Sequence, residues 1–105
     1  MSSQVRVELP HEKIVEFCKK WQITEFSVFG SVLREDFRPQ SDIDVLVRFA
    51  PEARHSLFDI FRMEDELAQA VGRKVELVER KALERSENYI RRRHILSSLQ
   101  TLYVA

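Results

Sequence analysis

The sequence predicts a small α/β (α+β) domain, and three observations carry that prediction. Apolar residues recur at helical spacing in three segments, they run together as short β-branched or aromatic blocks in three others, and the two kinds alternate with no linker between them. At 105 residues the chain is expected to form one domain, residues 1–105, with a single core and no room for a second substrate-binding domain.

The elements follow in chain order. Pro10 can open a first helix at its N1 position, with Ile14, Phe17, Cys18 and Trp21 on one stripe. Phe26-Ser27-Val28-Phe29, ahead of Gly30, reads as a buried strand near 24–30, and Ile43 to Val47 as a second near 43–49, with Pro39 in a turn between them. Ser56 and Asp59 have the spacing of a capping box. From there Leu57, Ile60, Phe61, Met63, Leu67 and Val71 recur at helical spacing up to Gly72, a candidate C-terminal cap, and Phe58, Phe61 and Met63 are expected in the core. Lys74 to Glu79 alternates like a third strand. A last helix is expected near 87–100, with Tyr89, Ile90, Ile95, Leu96 and Leu99 as its apolar contacts.

Composition narrows the function. Seventeen Lys and Arg against seventeen Asp and Glu leave no positive excess, so direct nucleic-acid binding is not expected. A single cysteine, Cys18, excludes an internal disulfide and a cysteine-based zinc site, and its helical spacing places it in the core. His11, His55 and His94 lack metal-ligand spacing and read as surface residues. No apolar run approaches the roughly 18 residues of a spanning helix and no signal-peptide pattern opens the chain, so no membrane association and a cytoplasmic location are expected.

Chemistry concentrates in one stretch: Gly30-Ser31, ten residues, then Asp42-Ile43-Asp44. Only two glycines occur in the chain. Gly72 has a capping role, whereas Gly30 ends a strand where backbone N–H groups can approach a phosphate. Side chains alternate along a strand, so Asp42 and Asp44 project to one face and Ile43 and Val45 to the other. Two carboxylates so placed repel unless a cation lies between them. Magnesium suits such hard oxygens, since it is held by one or two carboxylates plus substrate phosphate oxygens. The plainer readings are an ordinary turn, or a helix N-cap at Ser31, and a pair of exposed aspartates at a strand edge. Carboxylates flanking Ile43 at the start of an apolar strand are costly without a partner.

The segment from Val28 to Val47, with Gly30-Ser31 and Asp42-Ile43-Asp44 at its two ends, resembles the signature of the DNA polymerase β-like nucleotidyltransferase superfamily, in particular its minimal single-domain prokaryotic members. The resemblance runs over nearly the whole chain: Gly72 to Val78 fits the family's third strand and Ile95 to Tyr103 its C-terminal end. It implies a mixed sheet flanked by helices and magnesium-dependent transfer of a nucleotide from a nucleoside triphosphate. It also implies frequent service as antitoxin to a small helical HEPN-type toxin. By the same resemblance Asp42 and Asp44 hold the metal, and Gly30, Ser31 and Arg34 bind the nucleotide. Glu76 stands where the family usually has a third, aspartate, carboxylate that completes the metal site and takes the acceptor's proton. Alternation puts Glu76 opposite Val75 and Leu77, as that role requires, while an outward-facing strand residue is the simpler account. Leu33 and Glu35 depart from the small residue and glycine common in the turn, and Glu35-Asp36 adds negative charge near a triphosphate site.

The C-terminal segment carries Arg80, Lys81, Arg85, Arg91, Arg92 and Arg93 against Glu84 and Glu87, either a solvated face or a docking surface. Two functions stand out: an enzyme that moves AMP from ATP to a hydroxyl, a tyrosine of the HEPN-type partner, and a binding antitoxin that neutralises the partner by covering it. Transfer to a small hydroxyl compound is a third, for which the chain leaves little room. Homo-oligomerisation stays open.

Overall fold

The structure is a computed structural model and describes residues 10–30 and 42–105. The expected roles of Ser31 and Arg34, the departures at Leu33, Glu35 and Asp36, and the Pro39 turn lie outside those residues. Among the described residues eight elements follow in order: α1 (His11–Lys20), β1 (Ile23–Phe29), β2 (Ile43–Phe49), α2 (Leu57–Val71), β3 (Val75–Glu79), α3 (Arg80–Glu84), α4 (Tyr89–Leu96) and β4 (Gln100–Val104). The strands form one sheet in the order β3-β2-β1-β4. β1 pairs antiparallel with β2 and β4, and β2 pairs parallel with β3, so the sheet is mixed.

Alternation along the strands sends two sets of side chains to opposite faces. Phe26, Val28, Ile43, Val45, Val47, Val75 and Leu77 meet Ile14, Phe17 and Cys18 of α1 and Met63 and Leu67 of α2. Phe26 and Phe17 meet edge to face, with centroids 6.2 Å apart. On the other face Phe29 and Leu46 pack under Leu83 of α3 and Ile95 of α4. Ser27 is the buried polar side chain here, and its hydroxyl meets that of Thr101 on β4 at 3.1 Å.

The ends of α2 match the sequence reading. The Ser56 side chain accepts from the Asp59 N–H and the Asp59 carboxylate accepts from the Ser56 N–H, while Gly72 closes the helix in the left-handed region at φ 72°. The hydrogen bond from the Ser56 N–H holds the Asp59 carboxyl below its ordinary value, with help from the Ser56 hydroxyl and the charges of His55 and Arg62. Burial pushes the Cys18 thiol up to about 12, as expected of a core cysteine.

Other expectations are corrected. Pro10 is the residue before α1 rather than its first helical position, one residue from the expected start. The segment expected as one helix over 87–100 is α4 followed by β4, with the short α3 ahead of it. β4 is a strand because β1 offers it an open edge, a non-local partner that helical spacing cannot reveal. Phe58 and Phe61, expected in the core, are 77% and 53% exposed. At 100° per residue Phe61 lies about 160° round the helix from buried Met63. Tyr89 and Ile90 are likewise exposed. His55, expected at the surface, is largely covered: its Nε2 lies 2.7 Å from the Trp21 carbonyl oxygen, and its ring packs on Trp21 and Phe49.

Candidate active site

Asp42 and Asp44 stand at the start of β2, on the face that carries α3 and α4. Ile43 and Val45 between and beyond them are 1% and 2% exposed in the opposite core. Two buried anchors therefore fix the strand, and its pleat presents both aspartates on one side. Asp44 is half-buried and Asp42 exposed.

Gly30 faces Asp44. Asp44 is the register partner of Phe29, the last residue of β1, so the chain leaves the strand beside the carboxylate. Gly30 has φ +78°, and a Cβ placed on it would stand 2.5 Å from Asp44 Oδ2. Conformation and space both demand glycine here. The bare backbone and the Asp44 carboxylate form a cradle that any side chain at position 30 would fill.

Glu76 is the register partner of Asp44 across the parallel β2–β3 ladder. Residues paired in this way share a face, with strands about 4.8 Å apart. The alternation argument holds for Glu76, since Val75 and Leu77 are buried on the other side. Its carboxylate, however, is half-exposed and leans towards α4, where Arg91 Nη2 lies 3.8 Å from Oε1. Among the described residues no three Asp, Glu, His or Cys side chains come close enough together to hold a metal ion. The structure thus sets Gly30 against Asp44, with Asp42 on the same side of the chain by alternation, and places Glu76 in register with Asp44 without joining it to a three-carboxylate group.

This donor set suits a hard divalent cation of the magnesium kind. All donors are carboxylate oxygens, and two of them suffice when phosphate oxygens and water complete the shell. Arg91 is the neighbour that sequence reasoning did not single out. The run Arg91-Arg92-Arg93 was visible, but which arginine faces the sheet depends on where α4 begins. Asn88 sets that point by accepting a hydrogen bond from the Arg91 N–H.

This arrangement of strands and helices is shared with solved structures. A toxin–antitoxin crystal structure with AMP-PNP superimposes with a TM-score of 0.70 at 20% identity, over 92% of this chain and 75% of that one. A structure of a tri-AMPylated Shewanella oneidensis HEPN toxin in complex with MNT antitoxin gives 0.61 at 18% identity, over 90% of this chain and 70% of that one. The profile of the nucleotidyltransferase domain matches residues 11–98, and the chain belongs to that family, a family of transferase enzymes. Among curated relatives, the protein adenylyltransferase MntA of Thermococcus cleftensis is 34% identical over 70% of this chain and 70% of its own. A Methanocaldococcus jannaschii protein, provisionally named a protein adenylyltransferase, is 37% identical over 65% of each chain. The chain thus spans about two thirds of the length of these relatives. Among the described residues no helix is long and apolar enough to cross a membrane.

Proposed function

We propose that this chain transfers AMP from ATP to a hydroxyl, a tyrosine of a helical HEPN-type toxin, and acts as that toxin's antitoxin. The observation that carries the reading is the cradle between Gly30 and Asp44, in which a glycine is required by both backbone angle and space. The names of the curated relatives and of the toxin–antitoxin complexes with the same fold support the choice of substrate and partner.

In this reading Asp42 and Asp44 hold magnesium, which when bound neutralises charge on the phosphoryl oxygens. Gly30 lets the triphosphate approach the backbone, and Ser31 and Arg34 bind its phosphates. The acceptor oxygen attacks the α-phosphorus, the bond to the β-phosphate oxygen breaks and pyrophosphate leaves. Glu76, in register with Asp44, takes the acceptor's proton and adds a third carboxylate to the site. AMP on the toxin adds bulk and negative charge where RNA would approach.

A second reading is an antitoxin that acts by binding alone. The position of Glu76, turned towards Arg91 and apart from the aspartate pair, favours it. Incubation with α-labelled ATP, magnesium and the toxin separates the two. Label on the toxin that disappears with Asp42→Asn and with Asp44→Asn supports transfer. A stable complex that takes no label from any nucleotide supports binding alone.

A further inference from the structure

The three consecutive arginines within α4 have three different environments. Arg92 donates from Nη1 to the carbonyl oxygens of Glu84 and Ser86 and so ties the α3–α4 connection. Arg93 lines an exposed groove with Tyr89, Ile90 and His94. Arg91 alone among them points at the sheet, 3.8 Å from Glu76, with the two side chains 50% and 56% exposed.

An ion pair so long and so wet contributes little to stability. Its geometry is informative in another way. Glu76 is the register partner of Asp44, so the Arg91 guanidinium stands one strand away from the Gly30–Asp44 cradle and on the same sheet face. A guanidinium presents a planar fork that fits phosphate oxygens as well as a carboxylate, and phosphate is the more highly charged partner. The loose contact leaves Arg91 exchangeable between the two.

We infer that Arg91 is a triphosphate-binding residue, parked on Glu76 until nucleotide arrives. On binding, the guanidinium passes from the carboxylate to the phosphate oxygens, and Glu76 is released towards Asp44. The loading of the nucleotide and the readiness of the third carboxylate are thereby coupled. The inference rests on the nucleotidyl-transfer reading, which it deepens.

Calorimetric titration with α,β-methylene-ATP and magnesium tests it, since that nucleotide has no cleavable α–β bridge and reports binding alone. Arg91→Ala is expected to bind about tenfold more weakly than wild type, as suits the loss of one charge-assisted contact. Arg91→Lys should recover part of the loss, and Arg93→Ala, which removes a cation from the exposed groove of the same helix, should bind as wild type does. Melting temperatures of the three should match wild type, so that weaker binding is not unfolding. Unchanged binding by Arg91→Ala overturns the inference while leaving nucleotide binding intact. Equal weakening by Arg91→Ala and Arg93→Ala also overturns it, because the loss would then follow net charge and not the position of Arg91. A wild-type protein that binds no nucleotide removes the transfer reading itself.

Discussion

The two faces of the sheet are built from the same strands and have opposite characters. Towards α1 and α2 the strands present apolar side chains up to Glu79 at the end of β3, and Phe26, Val28, Val45, Val47, Met63 and Cys18 there are at most 2% exposed. Towards α3 and α4 the strands carry Asp42, Asp44, Glu25, Ser27 and Glu76, and the smaller core of Phe29, Leu46, Leu83 and Ile95 covers only part of the surface. Period-two alternation lets one face fix the strands while the other holds carboxylates at the edge of the cover. The dry face carries most of the stability, and the wet face can afford charge.

The sharpest way to break that contrast is to hollow the dry face. Phe26→Ala removes a ring that is 1% exposed and should cost about 3–5 kcal/mol in urea unfolding. A loss below about 1 kcal/mol would mean that the α1–α2 side is not the stabilising one. Gly30→Ala acts on the wet face. Its Cβ would meet Asp44 Oδ2, and the left-handed angle adds strain of about 1–3 kcal/mol. Displacing Asp44 in this way should lower AMP transfer about 100-fold, with most of the cooperative unfolding transition retained. Full transfer by this variant would separate the cradle from the chemistry.

Smaller effects sharpen the comparison at α2. Ser56→Ala should cost about 1 kcal/mol through the lost cap, read by thermal melting. The Asp59 carboxyl is held below its ordinary 3.8, so its contribution is present above that pH and is lost as the pH falls through the lowered folded value. The stability gap between wild type and Asp59→Asn should therefore close on acidification below about pH 4; a gap that widens contradicts the sign. Phe58→Ser, on the outer side of the same helix, should change stability by less than about 0.5 kcal/mol. A larger loss would show that this aromatic is buried against something in solution.

Much of this could be read from the sequence because it is local. The capping box at Ser56, the Gly72 cap, the strand on each side of the motif and the shared face of Asp42 and Asp44 all follow from spacing along one element. So does the orientation of Glu76, whose register with Asp44 then emerges from the parallel pairing of β2 and β3. What escaped depends on distant partners. Leu96 and Leu99 suit helical spacing and so hide the start of β4, and only the open edge of β1 makes 100–104 extended. Phe58 and Phe61 share α2 with Met63 but not its buried side. His55 has no motif to mark it and is covered by Trp21 and Phe49 from two other parts of the chain. In the sequence Arg91 is one cation in a basic run, with nothing local to set it apart from Arg92 and Arg93.

The hydroxyl contact between Ser27 and Thr101 spans 74 residues of chain, and this sets an order of events during synthesis. β1 emerges from the ribosome early and finds β2 soon after, yet its other edge stays open until residues 100–104 have been made. Closing so long a loop is slow compared with pairing neighbours. Through that interval the Ser27 hydroxyl and the outer hydrogen-bonding groups of β1 face water, or the edge of another nascent chain. β4 therefore completes the sheet last, and a chain stalled before Thr101 would display the β1 edge that the finished protein conceals.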